Sequence, residues 1–177
     1  MTGDEDDSIL SGRAQAGDAE AFEILFQRHY EAVRTFAYRV SLNAGAAEDI
    51  AQETFIKAAR SLGRFRGDAA FRSWLFQITM NTTRDWQRSS IRERQAMEEV
   101  AERSNEKEHP RDFGFVQDAL AALKEDLRHV VALVYFEGLS HAESARILNC
   151  AEATVSWRIF RAKRQLKNWF AKNGTQI

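Results

Sequence analysis

The sequence predicts an all-α protein made of two small helical domains joined by a flexible linker, the C-terminal one a helix-turn-helix. Three observations carry this. Apolar residues recur at helical spacing along most of the chain, with no credible period-2 run. The 177 residues include one proline and nine glycines, few enough to leave long helices uninterrupted. Between residues 94 and 113 the apolar period fades, charges dominate and the single proline, Pro110, appears. The expected layout is therefore a domain over 1–93, a linker over 94–113 and a domain over 114–177.

In the first domain a long helix carries Phe22, Leu25, Phe26, Val33, Phe36, Ala37 and Val40 on one stripe, with His29 among them. Asp18 after Gly17 is placed to cap it. The stretch from Asn43 to Gly45 breaks the pattern. A second helix follows with Ala47, Ile50, Ala51, Thr54, Phe55 and Ala58 inward, ending near Leu62 and Gly63. A basic, aromatic loop comes next: Phe65, Arg66, Gly67 and Asp68. Asp68 is expected to cap a third helix bearing Phe71, Trp74, Leu75, Ile78 and Trp86. The acidic N-terminal segment is given no element.

In the second domain the helical signal runs from Val116 through Leu120, Leu123, Leu127, Val130, Val131, Val134 and Phe136 to a turn at Glu137-Gly138-Leu139. Ser140 with Glu143 three residues on forms a capping box. It opens a short helix through Ala145, Ile147 and Leu148. Asn149 and Cys150 make a tight turn, and a longer helix then buries Val155, Ile159, Ala162, Leu166 and Trp169 or Phe170. Its outer face holds Ser156, Trp157, Arg158, Phe160, Arg161, Lys163, Arg164 and Lys167.

The net charge of −1 betrays no nucleic-acid partner, but its distribution does. From Ser140 onward seven cations face two carboxylates, while the first twenty residues hold six carboxylates and one arginine. A short helix, a tight turn and a long basic helix suit entry into the major groove. Arg pairs bidentately with guanine there, and flanking Lys and Arg hold phosphates. A solvated basic face is the plainer reading of the same spacing; the capping box and preceding helix favour DNA. In the first domain Gln77, Asn81, Arg84 and Arg88 share a stripe beside Trp74, Phe76 and Trp86, an arrangement that suits unpaired strands. Trp74 and Trp86 also fit a core, which is the commoner fate of such residues. Asp49, Gln52 and Glu53 form a polar patch. With no further ligand or base in reach, it reads as a protein-contact surface rather than a catalytic one, and no enzymatic activity is expected.

The chain has one cysteine, Cys150, and four scattered histidines, so no disulfide, metal site or cofactor is expected. No apolar h-region or membrane-length apolar run appears, and the expected location is the cytoplasm, without membrane insertion.

Glu48-Asp49-Ile50-Ala51-Gln52-Glu53-Thr54-Phe55 resembles the core-polymerase-binding helix of bacterial sigma factors. The loop from Phe65 to Asp68, followed by Phe71-Arg72-Ser73-Trp74-Leu75-Phe76-Gln77-Ile78-Thr79-Met80-Asn81, resembles their promoter-melting segment. Leu127-Arg128 through Glu137-Gly138-Leu139-Ser140, with Thr154-Val155-Ser156-Trp157-Arg158-Ile159-Phe160-Arg161-Ala162-Lys163, resembles their second DNA-binding domain. The short two-domain layout is that of the extracytoplasmic-function group. The resemblance implies a transcription initiation factor that binds core RNA polymerase through Asp49, Gln52 and Glu53. It implies that loop 65–68 and Asn81, with Gln77, Arg84 and Arg88 alongside, take an unpaired base of the promoter −10 element. It also implies that Thr154, Ser156, Trp157, Arg158, Phe160, Arg161, Lys163 and Arg164 meet the −35 element, and that an anti-sigma factor holds the protein inactive. One departure stands out: the family often carries Arg-Ser-Arg where this chain has Ser156-Trp157-Arg158. The alternatives are a stand-alone helix-turn-helix repressor or activator, and a nucleic-acid enzyme using Asp49 and Glu53.

Overall fold

The computed structural model describes residues 6–98 and 114–173. Among them every regular element is helical. In the first half these are α1 (Asp7–Gln15), α2 (Ala19–Ser41), α3 (Ala44–Ser61), a 3-10 turn (Leu62–Arg64) and α4 (Phe71–Glu98). In the second half they are α5 (Gly114–Ala121), α6 (Glu125–Val131), a π-helical stretch (Ala132–Phe136), α7 (His141–Leu148) and α8 (Glu152–Asn173).

Local chemistry sets most boundaries. Asp18 caps α2 through the Glu20 and Ala21 amides, and Asn43 caps α3 through Ala46. Between them Leu42 turns the chain in the left-handed region at φ 57°, its amide closing on the Tyr38 carbonyl. Two sequence expectations are corrected. The acidic N-terminus forms α1, capped by Asp6 through Ser8 and anchored by the fully buried Leu10. Asp68 does not cap α4: that helix's first backbone bond runs from the Trp74 amide to the Ala70 carbonyl, two residues later, and Asp68 pairs with Arg66 instead. Moreover α4 reaches Glu98, because Arg94, Gln95, Ala96, Met97 and Glu98 are strong helix formers even without an apolar stripe. The rest of the stretch read as linker, together with residues 1–5 and 174–177, lies outside the described residues.

The core of the first half is where α2, α3 and α4 pack. Phe36 and Phe76, both fully buried, meet with ring centroids 4.8 Å apart. Truncating either to alanine costs about 3–5 kcal/mol. Buried Thr54, Thr79 and Thr83 donate their hydroxyls to carbonyls four residues back, which lets polar side chains sit in the core. Trp86 packs on Ala37, Tyr38, Ala46, Ala47 and Ile50, so it serves the core rather than a base.

The second half packs against the first, with apolar residues of both joining one cluster. Arg128, buried in α6, donates its Nε to the carbonyl of Val40 at the end of α2. The π-helical stretch widens the last turn of α6, and Gly138, at φ +69°, reverses the chain. Together they turn the Glu137 carboxylate inward, where it is 3% exposed between Arg39 and Arg72 of the first half.

Candidate nucleic-acid interface

The helix-turn-helix is built as its sequence reads. Both arms of the capping box close: the Ser140 hydroxyl accepts from the Glu143 amide, and the Glu143 carboxylate accepts from the Ser140 amide. The Ser140 hydroxyl, donating to the carboxylate at 2.6 Å, and then the Ser140 amide hold Glu143 below the usual carboxylate range. α7 ends at Asn149 in the left-handed conformation, φ 53°, which asparagine tolerates well. α8 buries Val155, Ile159 and Ala162 and leaves Trp157, Phe160, Arg161, Lys163 and Arg164 exposed. Trp157 and Phe160 are 52% and 60% exposed, unusual for large apolar groups. The Arg161 guanidinium lies 4.8 Å from the Trp157 ring, and the Lys163 ammonium 5.6 Å from that of Tyr135. Two members of the expected set are otherwise engaged: the Ser156 hydroxyl meets His141 Nδ1 at 2.9 Å, and half-buried Arg158 turns toward Asp126 at 3.5 Å. Thr154 is half-buried in the first turn of α8.

In the first half the basic loop borders a cleft of about 760 Å³, a size that holds a ligand rather than a single water. Phe65, Arg66, Gly67, Ala70 and Phe71 form one side, and α1 with Arg28 the other. Gly67, at φ +75°, supplies the loop's reversal. Phe65 is half-buried, packed edge-on to Phe71 at 5.5 Å and tilted against Trp74 at 5.0 Å. Trp74 is half-buried and packs against the core. On α4, Gln77, Asn81 and Arg88 are exposed and Arg84 half-buried, so the expected stripe exists. Arg88 pairs with Asp85 at 3.6 Å.

On α3, Asp49 and Gln52 are exposed, and half-buried Glu53 lies 3.9 Å from Lys57. Sequence reading missed what surrounds them. Ile56 and Phe26 are both exposed beside this polar row, and Phe26 stacks edge-on to Phe55 at 4.8 Å. The only sign of Ile56 in the sequence is its place off the α3 apolar stripe. Among the described residues no group of three or more His, Cys, Asp or Glu gathers to hold a metal, and no helix is long and apolar enough to cross a membrane.

Two helical units, one carrying a capped helix-turn-helix with an exposed basic face and the other a cleft behind a basic loop, have the architecture of a DNA-binding protein. Residues 25–93 match the family described as Sigma-70 region 2, and residues 116–166 match Sigma-70, region 4. The chain is 35% identical to the RNA polymerase sigma-H factor of Pseudomonas aeruginosa, over 94% of each chain. It is 33% identical to the ECF RNA polymerase sigma-E factor of Escherichia coli K12, over 92% of this chain and 93% of that one. Among solved structures it is similar to the sigma factor RpoE of Bartonella quintana in complex with the anti-sigma factor NepR, with a TM-score of 0.72 and 30% identity over 85% of this chain and 96% of that one. The chain belongs to the extracytoplasmic-function sigma factors, transcription initiation factors that direct RNA polymerase to promoters. Because the matches span both halves, the stand-alone repressor reading is not favoured.

Proposed function

We propose that the chain divides promoter recognition between residues 1–93 and residues 114–177, joined by 94–113, and does so in the cytoplasm without catalysing a reaction of its own. α3 docks on core polymerase through Asp49, Gln52 and Glu53, with exposed Ile56 and Phe26 adding apolar contact beside the charges. The loop of Phe65, Arg66, Gly67 and Asp68, whose first three residues line the cleft, receives an unpaired base of the −10 element together with Gln77, Asn81, Arg84 and Arg88 further along α4. A base taken out of the stack needs ring contact and polar partners, and this face offers both. α8 enters the −35 major groove, with Arg161, Lys163 and Arg164 free to meet bases or phosphates. An anti-sigma factor restrains the protein; the complex with NepR formed by the similar Bartonella protein supports this. So does the apolar cleft of about 510 Å³ at Tyr38, Phe115, Val116 and Phe136, between the two halves.

The observation that carries the reading is the presence on one chain of a ligand-sized cleft behind the basic loop at Phe65, Arg66 and Gly67 and of a complete capped helix-turn-helix. The test is to add the purified protein to core polymerase and a promoter library. Specific initiation is expected. Absence of initiation, together with tight duplex binding by the protein alone, would refute the assignment.

A further inference from the structure

α1 has no part in the reading above, yet it forms half of the wall around the cleft. Leu10 already anchors it to the core, and Ser11 is buried beneath it. Its last residue does something else. The side-chain amide of Gln15 donates to two carbonyls of the opposite wall, Leu62 at 2.9 Å and Phe65 at 2.5 Å. These flank the 3-10 turn from which the loop departs, 47 and 50 residues away in sequence. Both N–H donors of one amide are thus spent on the point where Phe65 enters the cleft. At the other end of α1, Asp7 binds Arg28 and His29, each at 2.6 Å, and so holds the Arg28 guanidinium at the cleft's edge facing Arg66.

A pocket for an unpaired base needs walls fixed before the base arrives, because ordering a loop on binding subtracts directly from affinity. Between Phe65, whose amide closes on the Leu62 carbonyl, and Ala70, whose carbonyl accepts from Trp74, the segment belongs to no regular element. We infer that Gln15 is a positioning residue for single-strand capture: it ties the loop to α1, so that α1 and the loop close on the base as one rigid cleft. Gln15 contacts no base; it acts through the Phe65 backbone. This rests on the assignment of the cleft to the −10 strand.

The test uses the full chain bound to core polymerase and the promoter recovered from the library, in two forms: fully paired, and with the −10 segment mispaired. Gln15→Glu keeps the size and removes the donors; Gln15→Lys keeps a donor long enough to reach the carbonyls. Gln15→Glu should weaken binding to the mispaired form about tenfold, the scale of losing two hydrogen bonds that fix a loop. Gln15→Lys should restore most of it. Affinity for core polymerase should stay unchanged in both, and the unfolding midpoint of Gln15→Glu should fall by no more than about 5 °C. Unaltered binding by Gln15→Glu, or a matching fall in core affinity, overturns the inference. Asn81→Ala and Phe65→Ala separate the two failures. If they lose mispaired DNA while Gln15→Glu does not, only the role of Gln15 falls. If none of the three loses it, the cleft's assignment falls as well.

Discussion

Arg72 and Glu137 meet across the seam between the two halves, the guanidinium Nη2 2.5 Å from the carboxylate Oε2. Arg39 takes the other oxygen at 2.8 Å and also stacks on Phe136, 4.4 Å from its centroid. Burial pushes the Glu137 carboxyl up, and the two arginines pull it down without cancelling that rise. A carboxylate this buried is tolerated because both oxygens are paired; stripped of its cations it costs about 3 kcal/mol or more.

The seam matters because the elements assigned to the two halves lie about 25 base pairs apart, about 85 Å of duplex at about 3.4 Å per pair. A compact chain of this length has a radius of gyration of about 16 Å. On the assignment proposed above, the packed arrangement is too short to span both elements, and the halves would have to part on the promoter. In the free protein, Arg39→Met with Arg72→Met should raise the radius of gyration by several ångströms in small-angle scattering. Adding Glu137→Gln should bring it back, since a neutral amide needs no cation. A double variant that scatters like the parent would show that the ion pairs do not hold the seam.

His129 makes stability depend on pH. It is buried in α6, and desolvation first, then Arg128, Arg84 and Arg158, push its pKa down to about 3. The Glu125 carboxylate, at 3.8 Å, is too far to hydrogen-bond it. The folded state therefore holds His129 neutral while the unfolded chain protonates it below about 6.5. Stability from this group is complete above that pH and falls by up to about 1.4 kcal/mol per unit as pH drops toward 3. Burial pushes His29 down as well, so the difference from His129→Gln is the relevant quantity. Urea midpoints from pH 7 to 4.5 should fall less steeply in that variant; parallel curves would exclude the role.

The capping box sets the stability of the helix-turn-helix. Ser140→Ala removes the hydroxyl that accepts the Glu143 amide, at a cost of about 1 kcal/mol. For a chain of this size that lowers the unfolding midpoint by about 2–4 °C. Calorimetry checks this, and a shift under half a degree would mean that water replaces the cap without loss.

Arg161 should carry a phosphate contact oriented by Trp157. Arg161→Ala is expected to weaken −35 duplex binding by holoenzyme and to reduce the slope of log K against log salt by about 0.9. Trp157→Ala, by releasing the guanidinium, should weaken binding with a smaller change in slope. An unchanged slope in Arg161→Ala places that cation away from the backbone.

The sequence is legible where a few adjacent residues decide the outcome. Asp18, Ser140 with Glu143, and Asn149 announce their helix ends because capping is local chemistry. The α8 stripe is readable for the same reason, since periodicity needs only one helix. α1 escaped because Leu10 and Ser11 are all it buries, too little to register as a stripe. Asp68 misled because a capping residue two positions early looks the same in sequence, and only the loop's path settles where α4 begins. Glu137 and Gln15 were silent: their partners lie 65 and 98, and 47 and 50, residues away, and nothing in a turn sequence or a helix end signals such pairing.

The bond from Arg128 to the Val40 carbonyl links these matters. The last turn of α2 lacks a donor of its own there, and the second half provides one. Parting the halves does not simply remove an attraction; it hands a carbonyl and a guanidinium back to water, each gaining a new partner as it loses the old. Such exchanges are worth only about 1.5–3 kcal/mol for a charged donor. The end of α2 thus becomes a reporter: amide hydrogens whose carbonyl partners lie in that final turn should exchange with solvent faster whenever the halves separate. That timing can be read on the free protein, with neither polymerase nor promoter in the tube.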